Sequence, residues 1–234
     1  MHLEDWGLID YEQATDRQMA LLEKVSQGAE DHLVFCTHPP VVTLGRATQE
    51  GDIDGWSGRV VQSSRGGRAT YHGPSQLVVY PLVHLGRPHK FLALKDVQAY
   101  LRLLERGLIE VLRDSYGLVA EAHPHPTGVW VGGKKLASIG VAVRRWVTYH
   151  GLAINMRRDF EAFQGIQPCG FSPSTMTSME ELLVQPIGEK ELSQAKEQLA
   201  KKFSLLFSRV DHSRSEVGCV EDDNHHLRRD NDAT

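Results

Sequence analysis

Cys169 stands in Gln167-Pro168-Cys169-Gly170, where proline fixes the backbone before the thiol and glycine leaves little bulk after it. A thiol held on such a turn can act as a nucleophile once ionised, although a free thiol is only a few per cent thiolate near neutral pH. Lys135 opens Lys135-Leu136-Ala137-Ser138-Ile139-Gly140-Val141, a run too apolar for an ordinary surface lysine. An ammonium facing Cys169 would stabilise its thiolate, a contact that spacing alone does not establish. Cys36, inside an apolar run, and Cys219, near the C-terminus, read as packing residues.

The string Arg65-Gly66-Gly67-Arg68-Ala69-Thr70-Tyr71-His72-Gly73-Pro74-Ser75-Gln76 joins adjacent glycines, a proline turn and several hydrogen-bonding side chains. It suits either a loop whose backbone approaches a ligand or a tight surface turn closed on itself. Other patterns fail on chemistry. Gly128 to Lys134 matches G-x-x-x-x-G-K, but Lys135 follows where a P-loop needs Ser or Thr, and a strand follows where it needs a helix. Gly170-Phe171-Ser172-Pro173-Ser174 lacks the closing glycine of a hydrolase elbow. His123-Pro124-His125-Pro126 and His225-His226 have no third ligand at metal-site spacing, so no metal and no cofactor is expected.

These residues need elements to position them. Apolar periodicity predicts a helix over residues 11–27, stopped by Gly28, and another over 94–116, stopped by Gly117, whose apolar face packs on a sheet. Short β-branched runs at residues 33–35, 41–44, 60–61 and 77–80 read as strands, and residues 129–131, 135–143 and 147–154 as a meander. Ser178-x-x-Glu181 is a capping box, and a last helix is expected over residues 189–210. The result is an α+β domain over residues 1–210, a mixed central sheet flanked by helices. Residues 211–234 form a polar tail with too little apolar surface to order itself.

At 234 residues, 41% hydrophobic and 24% charged, the chain can bury a core without disulfides. Three cysteines with no C-x-x-C pair fit a reducing, cytoplasmic setting, and a net charge of −4 gives no global attraction to nucleic acid. No apolar run is long enough to cross a membrane.

Six blocks in order, residues 7–11, 37–45, 65–76, 135–140, 150–155 and 168–170, together resemble the LipB-type lipoyl(octanoyl) transferases, across most of residues 7–184. One departure is Ser75, where the family's H-G-P-G-Q string has glycine, and a positive φ there would be harder to adopt. The resemblance implies a biotin/lipoate protein ligase-like fold. It also implies octanoyl, or lipoyl, transfer from acyl carrier protein to a lysine of lipoyl domains, those of 2-oxoacid dehydrogenase E2 subunits and of glycine cleavage H protein. It makes Cys169 the acyl-thioester nucleophile, with Lys135 stabilising the thiolate and relaying protons. Substrate contacts fall on Arg65, Gly66, Gly67, Arg68, Ala69, Thr70, Tyr71 and His72, on Ser138, Ile139 and Gly140, and on Gly151, Leu152 and Ala153. His72 and His150 suit substrate contact or packing. Burying about six methylenes would contribute roughly 5 kcal/mol.

Two other readings compete. An ATP-dependent lipoate or biotin protein ligase shares the implied fold but needs no cysteine, and a non-catalytic carrier-domain binder would keep the pocket without turnover. ATP dependence separates the first and loss of activity in Cys169→Ala the second. Acidic protein substrates would call for a basic surface, for which Arg46, Arg65, Arg68, Arg144 and Arg145 are candidates, the last two also fitting a solvated hairpin tip.

Overall fold

The computed structural model describes residues 1–123 and 127–210. Ten strands and four helices follow in the order β1 (His2–Leu8), α1 (Tyr11–Ser26), β2 (His32–Thr37), β3 (Val41–Leu44), β4 (Val60–Gln62), β5 (Thr70–His72), β6 (Gln76–Leu82), α2 (Val97–Tyr116), β7 (Ala120–Ala122), β8 (Gly128–Val131), β9 (Lys134–Arg144), β10 (Val147–Asn155), α3 (Met179–Leu183) and α4 (Glu189–Leu206). Seven strands make one sheet in the order β1-β2-β6-β10-β9-β8-β7, and three make a small sheet in the order β4-β3-β5. In the large sheet β1 runs parallel to β2 and the other pairs are antiparallel. This is the α+β architecture with a mixed sheet that the sequence implies.

Strand alternation decides which helix covers which face. Leu33 and Phe35 of β2, Leu77 and Val79 of β6, and Leu152 and Ile154 of β10 face Leu104 and Leu108 of α2 and Phe203 of α4. Val34, Cys36, Val78, Tyr80 and Ala153 take the other face, under Ala14, Leu22 and Val25 of α1. Covered on both faces, β6 and β10 are buried along their whole length, and residues 77–82 read as a continuous apolar run while β10 carries the buried polar Thr148, His150 and Asn155.

Helix ends follow capping chemistry. Asp10 caps α1 by accepting from the backbone N–H groups of Glu12 and Gln13 at 2.9 and 3.3 Å. α2 begins at Val97, three residues later than its periodicity suggests, because Asp96 caps it through the N–H of Ala99 at 2.8 Å. Leu94 therefore precedes the helix and is exposed. α4 ends at Leu206, short of residue 210, where the backbone turns to pair with residues 88–90 through Lys90 N–H to the Ser208 carbonyl at 2.9 Å. Gly117 in the left-handed region ends α2 and the Ser178/Glu181 box caps α3, both as expected. β1, β5 and β7 carried no recognised strand signal. The tail, with Cys219, His225 and His226, and residues 124–126 lie outside the described residues. No described helix is long and apolar enough to cross a membrane.

Candidate active site

β9 and β10 supply the most regular part of the site. Ser138 pairs with Ala153, Ile139 with Leu152 and Gly140 with Gly151, so six residues expected at the acyl site are three consecutive cross-strand pairs. At the glycine pair the sheet carries no side chains, and the loop bearing Arg65 and Gly66 lies directly on it. A Cβ on Gly140 would stand 3.0 Å from the Gly66 carbonyl oxygen, and Gly66 N–H donates to the Val141 carbonyl at 2.9 Å.

Arg65 is buried, and its guanidinium donates to the Thr43 hydroxyl and carbonyl and to the Gly66 and Arg68 carbonyls at 2.6–3.1 Å. All these acceptors are neutral, so its charge is left to act on the cavity, and negative charge at Cys169 is within its field. Arg68 instead grips the fully buried carboxylate of Asp52. Burial alone would raise that carboxyl; hydrogen bonds from Arg68 and from backbone N–H groups hold it below the ordinary range. The Arg68 guanidinium also lies against Gly170, where a Cβ would be 2.3 Å from Nη1.

Cys169 sits in the single helical turn Pro168–Gly170 with φ 57° and ψ 21°. A non-glycine residue in this conformation is strained, and neighbouring bonds hold it there. Its N–H donates to the Ala69 carbonyl at 3.0 Å, and Gln167 N–H donates to the Asp52 carbonyl at 2.8 Å. Lys135 arrives from β9 fully buried, with Nζ 3.3 Å from Cys169 Sγ and 5.7 Å from the centre of the Trp130 ring. Gly128 makes this path possible, since a Cβ there would meet Lys135 Cε at 2.8 Å.

Cys169 opens on a cavity of about 680 Å³, in the range of small-ligand sites. Of the expected set, Arg65, Gly66, Gly67, Arg68, Thr70, His72, Ser138, Ile139, Gly140, Gly151, Leu152 and Ala153 line it. Ala69 and Tyr71 do not. Alternation along β5 turns Tyr71 to the far side, against Trp56 and Phe163, and Ala69 takes part through its carbonyl bond to Cys169. Tyr11, Val78, Tyr80, Val97, Leu101 and Phe171 also line the cavity and were not singled out. All six stood inside noted segments, but nothing in sequence aims them at a common space.

A layer of histidines and tyrosines closes one side. His72 and His150 stack against Tyr11 at ring separations of 5.8 and 6.4 Å. Gln76 donates to Asn155 at 2.8 Å, leaving its oxygen to accept from His72 Nδ1 at 3.1 Å, so the neutral ring keeps Nε2 as an acceptor. Burial, with His38 and Arg65 adding repulsion, pushes His72 well below the usual histidine range. Burial and Arg65 take His150 to about 3. His150 also has φ 58° inside β10, donates or accepts through Nε2 to Ser64 at 3.1 Å, and leaves Nδ1 without a protein partner.

Of the five arginines expected on a basic surface, Arg46 and Arg144 are exposed and Arg68 grips Asp52. Arg65 is buried, and Arg145 pairs with Glu23 at the β9–β10 turn at 2.6 Å. Arg46 is exposed at the cavity mouth.

A family model for the lipoyl protein ligase A/B catalytic domain matches residues 10–204. An octanoyltransferase from Bdellovibrio bacteriovorus is 45% identical over 213 residues, covering 86% of this chain and 95% of that protein. One from Geobacter metallireducens is 39% identical over 207 residues, covering 88% and 93%. Among solved structures, a lipoate-protein ligase A bound with ATP superposes with a TM-score of 0.69 at 16% identity, covering 89% of this chain and 87% of the other, a likeness of fold. The chain therefore belongs to the lipoyl protein ligase A/B catalytic-domain family and, within it, to the octanoyltransferases, acyltransferases of protein lipoylation.

Proposed function

We propose that the protein moves an octanoyl group from acyl carrier protein to the lysine of a lipoyl domain through a thioester on Cys169. The observation that carries this reading is the 3.3 Å contact between Lys135 Nζ and Cys169 Sγ at the edge of the cavity. An ammonium at that distance stabilises negative charge on sulfur. The thiolate attacks the carbonyl of the carrier thioester, and the departing carrier thiolate takes a proton from Lys135. One thioester has replaced another, so this step is nearly balanced. The ε-amine of the acceptor lysine then attacks the enzyme thioester and gives its proton to the now neutral Lys135 as Cys169 leaves as thiolate. An amide has replaced a thioester, and the ion pair is restored.

Val78, Val97, Leu101, Ile139, Val141 and Leu152 offer the acyl chain apolar walls. One methylene too many or too few then changes selectivity about 10–200-fold. Lipoyl domains of 2-oxoacid dehydrogenase E2 subunits and glycine cleavage H protein are the acceptors in this reading. Arg46 at the mouth suits acidic protein partners.

Intact-protein mass spectrometry with octanoyl-acyl carrier protein, without ATP, tests the proposal. Wild type should gain one octanoyl group, removable by hydroxylamine or by a lipoyl domain, and Cys169→Ala should gain none and lose transfer at least about 10⁴-fold. Lipoyl-domain modification only when free octanoate and ATP are supplied would mean ligation instead. Carrier binding with no adduct in wild type would mean a binding protein.

A further inference from the structure

β1 is an edge strand whose one sheet neighbour among the described residues is β2, with His2 opposite His32 and Glu4 opposite Val34. Strand alternation puts His2 and Glu4 on one face, and the parallel register sets His32 beside them. One ligand atom from each of the three, two imidazole nitrogens and a carboxylate oxygen, lies within 4.8 Å of the others. Thirty residues separate the histidines, so no local spacing announces the cluster.

The geometry points to a binding site for a first-row divalent transition ion, with zinc as the type, on His2, Glu4 and His32 and with solvent as fourth ligand. Two imidazoles and one carboxylate are a set that such ions prefer and that calcium and magnesium do not. The Glu4 carboxylate is already oriented, one oxygen lying 2.8 Å from His32 Nδ1 and the other accepting from the Trp6 indole N–H at 2.9 Å. The Trp6 bond is an outer hydrogen bond of the kind that fixes a ligating carboxylate, and the His32–Glu4 contact is the one that the ion would replace. A tetrahedral ion with bonds of about 2.0–2.1 Å needs ligand atoms about 3.3 Å apart. His32 and Glu4 need to open by about half an ångström, and the remaining closure falls to His2, which is exposed and can rotate. His32 and Glu4 are 12% and 27% exposed, so the ion reaches a partly sheltered site.

The site would clamp β1 to β2. It would also steady the path from β1 through the Asp10 cap to Tyr11, which lines the acyl cavity. It is separate from Cys169 and Lys135 and needs neither.

The full chain carrying Cys169→Ser, so that no cavity thiolate competes, is stripped with chelator and titrated with zinc by calorimetry and with cobalt(II) by visible absorption at pH 7.5. One equivalent should bind with tetrahedral cobalt bands, and His2→Ala and Glu4→Gln should each weaken binding at least tenfold. Zinc at a hundredfold its Kd should raise Tm by about 5–10 °C, a rise absent in His2→Ala. His2 is exposed, so that variant folds and the comparison stands even if His32→Ala does not. The chain has twelve histidines, so stoichiometry alone does not locate the ion. Equal zinc affinity in parent, His2→Ala and Glu4→Gln, or no binding tighter than about 1 mM, would overturn the site.

Discussion

The two halves of the candidate active site are built by different means. On β9 and β10, Lys135, the three cross-strand pairs and their glycines are placed by strand register, which one hydrophobic pattern fixes along the whole sheet. Around Cys169, the loops at residues 45–55, 65–69 and 163–171 have almost no ladder. They are placed by Arg65 on Thr43, Arg68 on Asp52, Gln167 on the Asp52 carbonyl and Cys169 on the Ala69 carbonyl. Register is shared along a strand, whereas the loop half converges on two side chains, Arg65 and Arg68, whose hydrogen bonds are lost together when either is replaced. The sheet supplies Lys135 and the loops supply the strained Cys169, and the two side chains meet where the loop half lies on the sheet.

Breaking that contact from the sheet side should have a large effect, second only to removing the Cys169 thiol itself. Lys135→Met keeps the length and apolar stem but removes the charge and the proton carrier. Transfer should fall about 10²–10³-fold, and iodoacetamide should alkylate Cys169 at pH 7 at least about tenfold more slowly. Because Lys135 is buried in β9, a circular dichroism melt must show the fold retained. Unchanged alkylation in a folded variant would remove Lys135 from thiolate stabilisation and leave only a structural role.

Acid should next distinguish the halves through the histidine layer. His72 and His150 titrate below the usual value of about 6.5 in the folded chain and near it when unfolded. Their contribution is therefore intact above pH 6.5. As pH falls from there toward about 3 the unfolded chain takes up protons that the folded chain refuses, and stability is lost. By pH 5 the loss is about 2 kcal/mol for His150, and His72 acts in the same direction. His150→Asn, a residue that tolerates the left-handed backbone found there, should remove one histidine's share of the slope, about 1.4 kcal/mol per pH unit. Urea unfolding between pH 7 and 5 measures it, and an unchanged slope would assign the acid sensitivity elsewhere.

Asp52 tests the loop half directly. Asp52→Asn keeps the volume but leaves Arg68, which presses on Gly170, without its charged partner. Stability should drop by about 1–3 kcal/mol, and kcat/KM should fall about tenfold as the Cys169 turn loosens. A stability loss with unchanged kcat/KM would mean that Arg68 does not position the turn.

Legibility in the sequence follows the same division. The long helix α2 and the strands β6, β9 and β10 show themselves because two-sided or one-sided burial leaves a period in the residues. The resemblance named Cys169 and Lys135 but not their distance, since residues 135 and 169 are joined only in three dimensions. β1 escaped notice because its largely exposed residues carry no alternation, and Leu94 was drawn into a helix by periodicity that the Asp96 cap overrides. Asp52, whose buried carboxylate holds the loops, sits in a stretch that looks like ordinary polar surface. Tyr71 was assigned to the cavity with its neighbours because a contiguous motif does not reveal which face each strand residue takes.

Ser75 should give the smallest effect. The family's string has glycine here, and the concern from sequence was a backbone needing positive φ. Ser75 is absent from the positive-φ residues, and its carbonyl accepts from Met156 and Arg157 N–H, both at 3.0 Å. Its hydroxyl adds a bond to Asp159 at 2.8 Å, on the carboxylate oxygen that Tyr71 also approaches at 3.4 Å. Ser75→Gly therefore relieves no strain and removes one half-buried hydrogen bond while freeing the unfolded chain, so stability should fall by about 1 kcal/mol or less. Transfer should stay within about twofold, because Ser75 does not line the cavity. A rise in stability would show that serine strains this turn after all, and a tenfold loss of transfer would show that the loop half of the site extends through Asp159.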